Sequence, residues 1–321
     1  MLKGDNGNRS IASSFIIVGF ETMWEMELLL FSIFSSMYIL TLGAHIVIIA
    51  LVALDWHLHK PMYLLLASFS LLEVIYTTVT VPKMLDALLT RRKEISYASC
   101  LLQFYLLFGF GASENCLLAV MAYDRYAAIC RPLHYTTLMS IKTSIHLAIG
   151  ALVGGLLAAF PPVVWISTLD FCFPNLIDHF FCDYAPLLKL SCNDTTDGEL
   201  AFMVMSWSVI LGCFFLIMVS YTLIIFAVIR IPSTEGQKKA FNTCASHLAV
   251  VSIFYGTVIF MYIRPTSHIR FSIDKVISVF YCVVTPLMNP IIYCLRNQEF
   301  KGALNKALQI LENKKHPRMG K

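Results

Sequence analysis

Seven apolar stretches, each long enough to cross a lipid bilayer, constrain this chain more than any other feature. A span needs about 20 mostly apolar residues, and the stretches centre near Ser36, Glu73, Ser113, Gly154, Gly212, Tyr255 and Val283. The expected fold is an all-α membrane protein, a seven-transmembrane helix bundle. Composition points the same way. Of 321 residues 58% are hydrophobic and 14% charged, with a mean hydropathy of +0.71, which excludes an ordinary soluble domain.

An odd number of spans puts the termini on opposite sides. Ten of the 24 lysines and arginines fall on the tail before Trp24 and on the second, fourth and sixth connections. The other 14 lie on the opposite side, half of them beyond Leu295, which marks that side as cytoplasmic. Asp170, Asp178, Asp183, Asp194, Asp197 and Glu199 crowd one external loop. The expectation is a multi-pass plasma-membrane protein with its N-terminus outside. The net charge of +4 then describes a basic inner face suited to anionic lipid and a protein partner, and nothing indicates nucleic acid. No cleavable signal peptide is expected, because a polar segment, Met1 to Ser14, precedes an apolar span too long for a signal core. The acceptor sequences Asn8-Arg9-Ser10 and Asn193-Asp194-Thr195 fall on segments assigned outside, so Asn8 and Asn193 are candidate glycosylation sites.

The chain divides into a tail (1–26), a seven-span domain (27–296) and a cytoplasmic segment (297–321). Pro232 and Gly236 should break the helix in the short third inner connection, Ile231 to Gln237. Beyond Cys294, Phe300, Leu304, Leu308 and Leu311 recur at helical spacing among lysines, which predicts a short amphipathic eighth helix on the inner membrane surface. Of ten cysteines, Cys100, Cys172, Cys182 and Cys192 gather where an oxidising compartment reaches them, and four cysteines allow three pairings.

No nucleophile–base pair, metal-spaced histidine cluster or phosphate loop is present, so an enzyme has no residues to stand on. His45 and His146 read as packed or interfacial. Asp124 and Arg125 stand side by side where the third apolar run ends, and the acid is the obvious neutraliser of a costly membrane-border arginine. Two acids lie within spans, Glu73 and Glu114. Glu114 precedes Arg125 by eleven residues, about 16 Å along a helix. Two carboxylates at similar depth can share a proton or a cation; the alternative is a pair of protonated acids that serve packing.

Four segments in order, KPMYLLLASFSLLE (60–73), MAYDRYAAIC (121–130), KAFNTCASHL (239–248) and PLMNPIIYCLRN (286–297), together with HFFCDYAPLLKLSC (179–192), resemble the olfactory receptors, a family of rhodopsin-like G-protein-coupled receptors. The resemblance runs from about Phe15 to Leu311. It implies a receptor that binds a small volatile odorant between its helices and activates a stimulatory heterotrimeric G protein to raise cyclic AMP. Arg125, flanked by Asp124 and Tyr126, matches the arginine that opens towards the G protein. Asn289, Pro290 and Tyr293 resemble the seventh-span switch, and Tyr221 and His247 belong to the same relay. Cys100 would pair with Cys182, and Cys172 with Cys192. Glu73 and Glu114 match paired acids that hold a sodium ion as an allosteric modulator; many relatives carry aspartate at the position of Glu73. Asn242 stands where serine is usual.

For the ligand site, spacing puts Phe104, Phe108, Gly111, Ala112 and Asn115 near one face of the third helix. The resemblance adds Met205 and Val209, Tyr255, Ile259 and Tyr262, and Val279 and Cys282 on the fifth, sixth and seventh spans. Leu107 occupies the position where many amine receptors carry aspartate, which implies a neutral, mainly apolar ligand oriented by groups such as Asn115 or Tyr262. Two rival readings remain: a receptor of this family acting outside the olfactory epithelium, and an ion or proton transporter using Glu73 and Glu114. The absence of repeated halves and of glycine-rich broken helices speaks against the transporter.

Overall fold

A computed structural model describes residues 13–19, 23–90, 93–262, 271–296 and 298–315. Asn8 lies outside the described residues, as does the side chain of Tyr262. Lipid offers the backbone no hydrogen bonds, so each apolar stretch folds into a helix that satisfies its own amides. The spans are α1 (Trp24–Leu54), α2 (Pro61–Thr90), α3 (Tyr97–Cys130), α5 (Ile141–Ser167), α7 (Thr196–Ile229), α8 (Thr234–Tyr262) and a composite seventh. The last runs through α9 (Phe271–Val279), one π-helical turn (Phe280–Val284) and α10 (Thr285–Arg296). Short helices α4 (Tyr135–Leu138) and α6 (Tyr184–Lys189) sit in loops. All seven spans are long and apolar enough to cross a membrane.

Helix α3 is the hub. Of its most apolar window 61% is buried inside the protein, against 17% for α7, whose outer face is left to lipid. The side-chain hydroxyls of Ser96 and Ser140 cap the first turns of α3 and α5, each accepting an amide hydrogen three residues on. Gly236 does not break the sixth span as the sequence suggested. It lies in the first turn of α8, where its amide donates to Ser233 Oγ at 3.1 Å, so Ser233 starts the helix and the connection shrinks to residues 230–233. The eighth helix, α11 (Gln298–Lys315), buries Phe300 and Ala303 and leaves Leu308 half-exposed, an amphipathic pattern.

At the Cys100 end a small sheet interrupts the all-helical expectation. Strand β1 (Ser14–Ile17) lies between β2 (Glu94–Ser96), antiparallel with Phe15 opposite Ile95, and β3 (Leu176–Ile177), parallel with Ile17 opposite Ile177. Phe15 and Ile17 are buried while Ile16 is exposed, the alternation of a one-sided strand. These residues join Phe104, Ile166, Tyr184 and Phe202 in a second apolar cluster, a cap distinct from the bundle core.

Candidate functional site: a cavity between helices and a buried arginine

Disulfides fix the cap. Cys100 at the start of α3 is bonded to Cys182, and Cys172 to Cys192. The first bond is reinforced by Gln103, whose Oε1 accepts from the Cys182 amide at 3.0 Å while its Nε2 donates to the Val79 carbonyl at 3.0 Å. Lys275 pairs with Asp178 and donates to the Gly19 carbonyl at 2.7 Å. Gly19 has a φ of +64°, a left-handed conformation that suits glycine. His179 is buried beside it, with Nε2 3.0 Å from Ser278 Oγ. Burial, and the Lys275 charge acting the same way, push its pKa down to about 3. Asn193 is exposed, and its Oδ1 accepts from the Asp170 amide at 2.7 Å.

Below the cap a cavity of about 50 Å³ opens between α3, α7, α8 and the π turn. From α3 it is lined by Leu107, Phe108, Gly111, Ala112 and Asn115, a single stripe at helical spacing. Ser206, Val209 and Ile210 of α7, Phe254 and Val258 of α8, and Tyr281 complete it. A Cβ on Gly111 would stand 3.3 Å from the Tyr281 hydroxyl, so this glycine keeps the cavity open. Five of the expected residues are thus brought together: Phe108, Gly111, Ala112, Asn115 and Val209.

The others lie elsewhere, for identifiable reasons. Phe104 and Met205 pack into the cap cluster. On α8 the lining pair is Phe254 and Val258, one residue before Tyr255 and Ile259, an error of about 100° in helical phase. On the seventh span the π turn inserts an extra residue into the repeat, so Tyr281 faces the cavity in place of Val279 and Cys282. Cys282 is buried, 3.3 Å from the Tyr76 hydroxyl. Asn115 lines the cavity, but its amide is already engaged: Nδ2 donates to the Val209 carbonyl at 3.1 Å and Oδ1 accepts from the Tyr255 hydroxyl. It is a strut between three spans. The polar group left over is Ser206, whose buried Oγ has no hydrogen-bond partner among the described residues. Ser208 and Ser220 stand on the same apolar helix, so nothing in the sequence singles out Ser206.

Deeper in the bundle, Asn289 Nδ2 donates to Glu73 Oε1. Glu114 Oε1, Ser70 Oγ, Asn289 Oδ1 and Tyr293 Oη are buried without partners among the described residues. Unsatisfied buried oxygens of this kind call for water or a hard cation. His45, expected to be packed or interfacial, is packed, and it has a specific partner. Pro290 has no N–H, which leaves the Pro286 carbonyl without its partner in the helix. His45 Nε2, buried on α1, lies 3.0 Å from that oxygen and donates to it.

At the far end Arg125 is ion-paired with Asp124, and both are buried. Tyr135 of α4 donates its hydroxyl to Asp124 Oδ1 at 2.8 Å, a partner that the sequence gave no reason to single out. Tyr126 is half-buried, with its ring 6.1 Å from that of Tyr123. His247 Nε2 donates to the Leu118 carbonyl at 3.2 Å, so Nδ1 of the neutral ring accepts from the Tyr221 hydroxyl at 2.7 Å. Arg125, Asn242, His247 and Tyr293 line a vestibule of about 1210 Å³. Two turns of a helix about 10 Å across fill on the order of 850 Å³, so the vestibule has room for a helical end.

A bundle with one cavity under a disulfide-tied cap and a second opening around a clamped arginine has the architecture of a heptahelical receptor. The crystal structure of squid rhodopsin has the same fold, with a TM-score of 0.68 at 16% identity over 95% of this chain and 97% of that one. The olfactory receptor family model matches residues 34–311. Human olfactory receptor 10C1 is 46% identical over 95% of this chain and 97% of its own length. Human olfactory receptors 5A2 and 11G2 are 44% and 48% identical over 94% and 93% of this chain, and 93% and 87% of their own lengths. The chain belongs to the olfactory receptor family, whose members are multi-pass signalling receptors for small molecules, coupled to G proteins, and not enzymes.

Proposed function

We propose that the protein is an odorant receptor of the plasma membrane, with the cap outside and the vestibule in the cytoplasm. It takes a small, mainly apolar volatile ligand into the α3–α7–α8 cavity and activates a stimulatory G protein. The observation that carries this reading is the lining of that cavity, apolar but for the Asn115 strut, the Tyr281 hydroxyl and the unpaired hydroxyl of Ser206. Drug-sized pockets measure roughly 300–1,000 Å³, so a cavity of about 50 Å³ suits a small occupant whose entry moves side chains. Ser206 orients it through one hydrogen bond. In cells, Ser206→Ala should weaken agonists bearing a hydroxyl or carbonyl by about 1 kcal/mol, roughly fivefold in potency, and leave hydrocarbon analogues unchanged. Gly111→Leu should remove responses to large ligands first, because it overfills the site and displaces Tyr281. Uniform losses across a ligand panel, read as cyclic AMP, would refute the assignment.

Glu73 and Glu114 hold a sodium ion in the resting receptor on this reading. Oxygen donors suit a hard cation, and the orphaned oxygens of Glu114 and Asn289 support it. An ion that favours the resting state must lower basal signalling as its concentration rises. Substituting an organic cation for sodium at constant ionic strength should therefore raise basal activity in the parent and not in Glu114→Gln. Sodium-independent activity in the parent would instead favour two protonated acids that serve packing.

A further inference from the structure

Helix α11 is seated unevenly. On one side Phe300 is buried in the bundle core. On another, Gly302, Ala303 and Lys306 border a cavity of about 630 Å³ that separates α11 from Trp56 and His57 in the connection between α1 and α2. A space of that size lets a helix swing, because no packed side chains resist the motion. A clasp spans the gap. Glu299, in the first turn of α11, accepts through Oε2 from Lys60 Nζ at 2.6 Å and from the Tyr63 hydroxyl at 3.2 Å. Both donors are firmly placed. The Lys60 carbonyl accepts from the Tyr63 and Leu64 amides at 3.0 and 3.1 Å, so Lys60 opens the hydrogen-bond ladder of α2, and Tyr63 is buried. The side chains of Lys60 and Glu299 are half-exposed, and ion pairs of that kind contribute little to overall stability. What the clasp decides is the direction of α11. Lys60 and Glu299 line the vestibule as well as the smaller cavity, so together they form the wall between the two spaces.

We infer that Glu299 is a positioning residue for coupling: held by Lys60 and Tyr63, it keeps α11 at the lip of the vestibule and sets the width of that opening for the helical end it receives. This role rests on the G-protein reading of the vestibule. With the clasp open, α11 swings into the adjoining cavity, the vestibule widens and the partner loses contact area. Reversing either charge puts like charges in contact, whereas exchanging the two restores the attraction. The Tyr63 hydroxyl both donates and accepts, so it serves either arrangement.

The test uses the full-length receptor in detergent micelles without odorant, and compares the parent with Lys60→Glu, Glu299→Lys and the double variant. Amide hydrogen exchange along α11 should speed up in each single variant and return towards the parent in the double one, with thermal unfolding unchanged. The concentration of stimulatory G protein that half-saturates nucleotide exchange should rise roughly fivefold in the single variants at an unchanged maximal rate, and recover in the double variant. A carboxylate that touched the G protein directly would not be rescued by exchanging the charges, so a double variant as impaired as the singles overturns the positioning role. Hydrogen exchange along α11 that is the same in the parent and both single variants overturns the clasp, and that measurement needs no G protein. A parent inactive at every G-protein concentration refutes the coupling reading and this role with it, while the clasp itself still stands or falls on the hydrogen-exchange result.

Discussion

His45 and Pro290 act as one unit although 245 positions separate them. The proline removes a donor from the seventh span, and the histidine on the first returns it. The break can therefore persist in hydrocarbon without an orphaned carbonyl, next to the Asn289 and Tyr293 oxygens that remain unpaired among the described residues. His45→Phe keeps the volume and deletes the donor, so it should lower stability by about 1–3 kcal/mol. His45→Asn, with a shorter side chain that still carries a donor, should recover part of the loss. Thermal unfolding of the purified variants measures both, and a phenylalanine variant as stable as the parent would contradict this role.

Helices were legible in the sequence because lipid demands an unbroken apolar run, and all seven stretches are helical where expected. Phase was legible where one element dominates. Along α3 the stripe from Phe108 to Asn115 follows from simple helical repetition. On α8 nothing in an apolar sequence separates Phe254 from Tyr255, since both are buried aromatic residues. The π turn at Phe280–Val284 is set by packing and has no composition signal, so the register of the seventh span could not be read from spacing. Gly236 looked like a breaker because glycine lowers helix propensity, but in the first turn a Ser233 cap outweighs that cost. The cap strands are short and borrow their hydrogen bonds from distant loops, which leaves no periodic signature of more than four residues.

Over the whole molecule, two apolar clusters divide the work. The bundle core joins the α3–α7–α8 cavity to the vestibule, and the disulfide-bonded cap closes the opposite end. Lys275 and His179 fasten that cap to the seventh span. An unfolded histidine gains its proton near pH 6.5, whereas buried His179 stays neutral down to about 3. Its contribution to stability is complete above about pH 6.5 and is lost as pH falls towards 3, on the order of 2 kcal/mol by pH 5. Thermal unfolding at about pH 7.5 and pH 5 should fall more steeply for the parent than for His179→Gln; equal slopes would remove His179 from the account. On the proposed function, ligand entry between the spans is read out at Arg125. The most direct test is agonist-stimulated nucleotide exchange on a purified stimulatory G protein, with the receptor reconstituted in liposomes. The parent should accelerate exchange with at least one small apolar volatile, and Arg125→Ala should bind that ligand without accelerating exchange. Agonist-driven exchange that survives in Arg125→Ala, or ligand-gated ion flux without exchange in the parent, would contradict it.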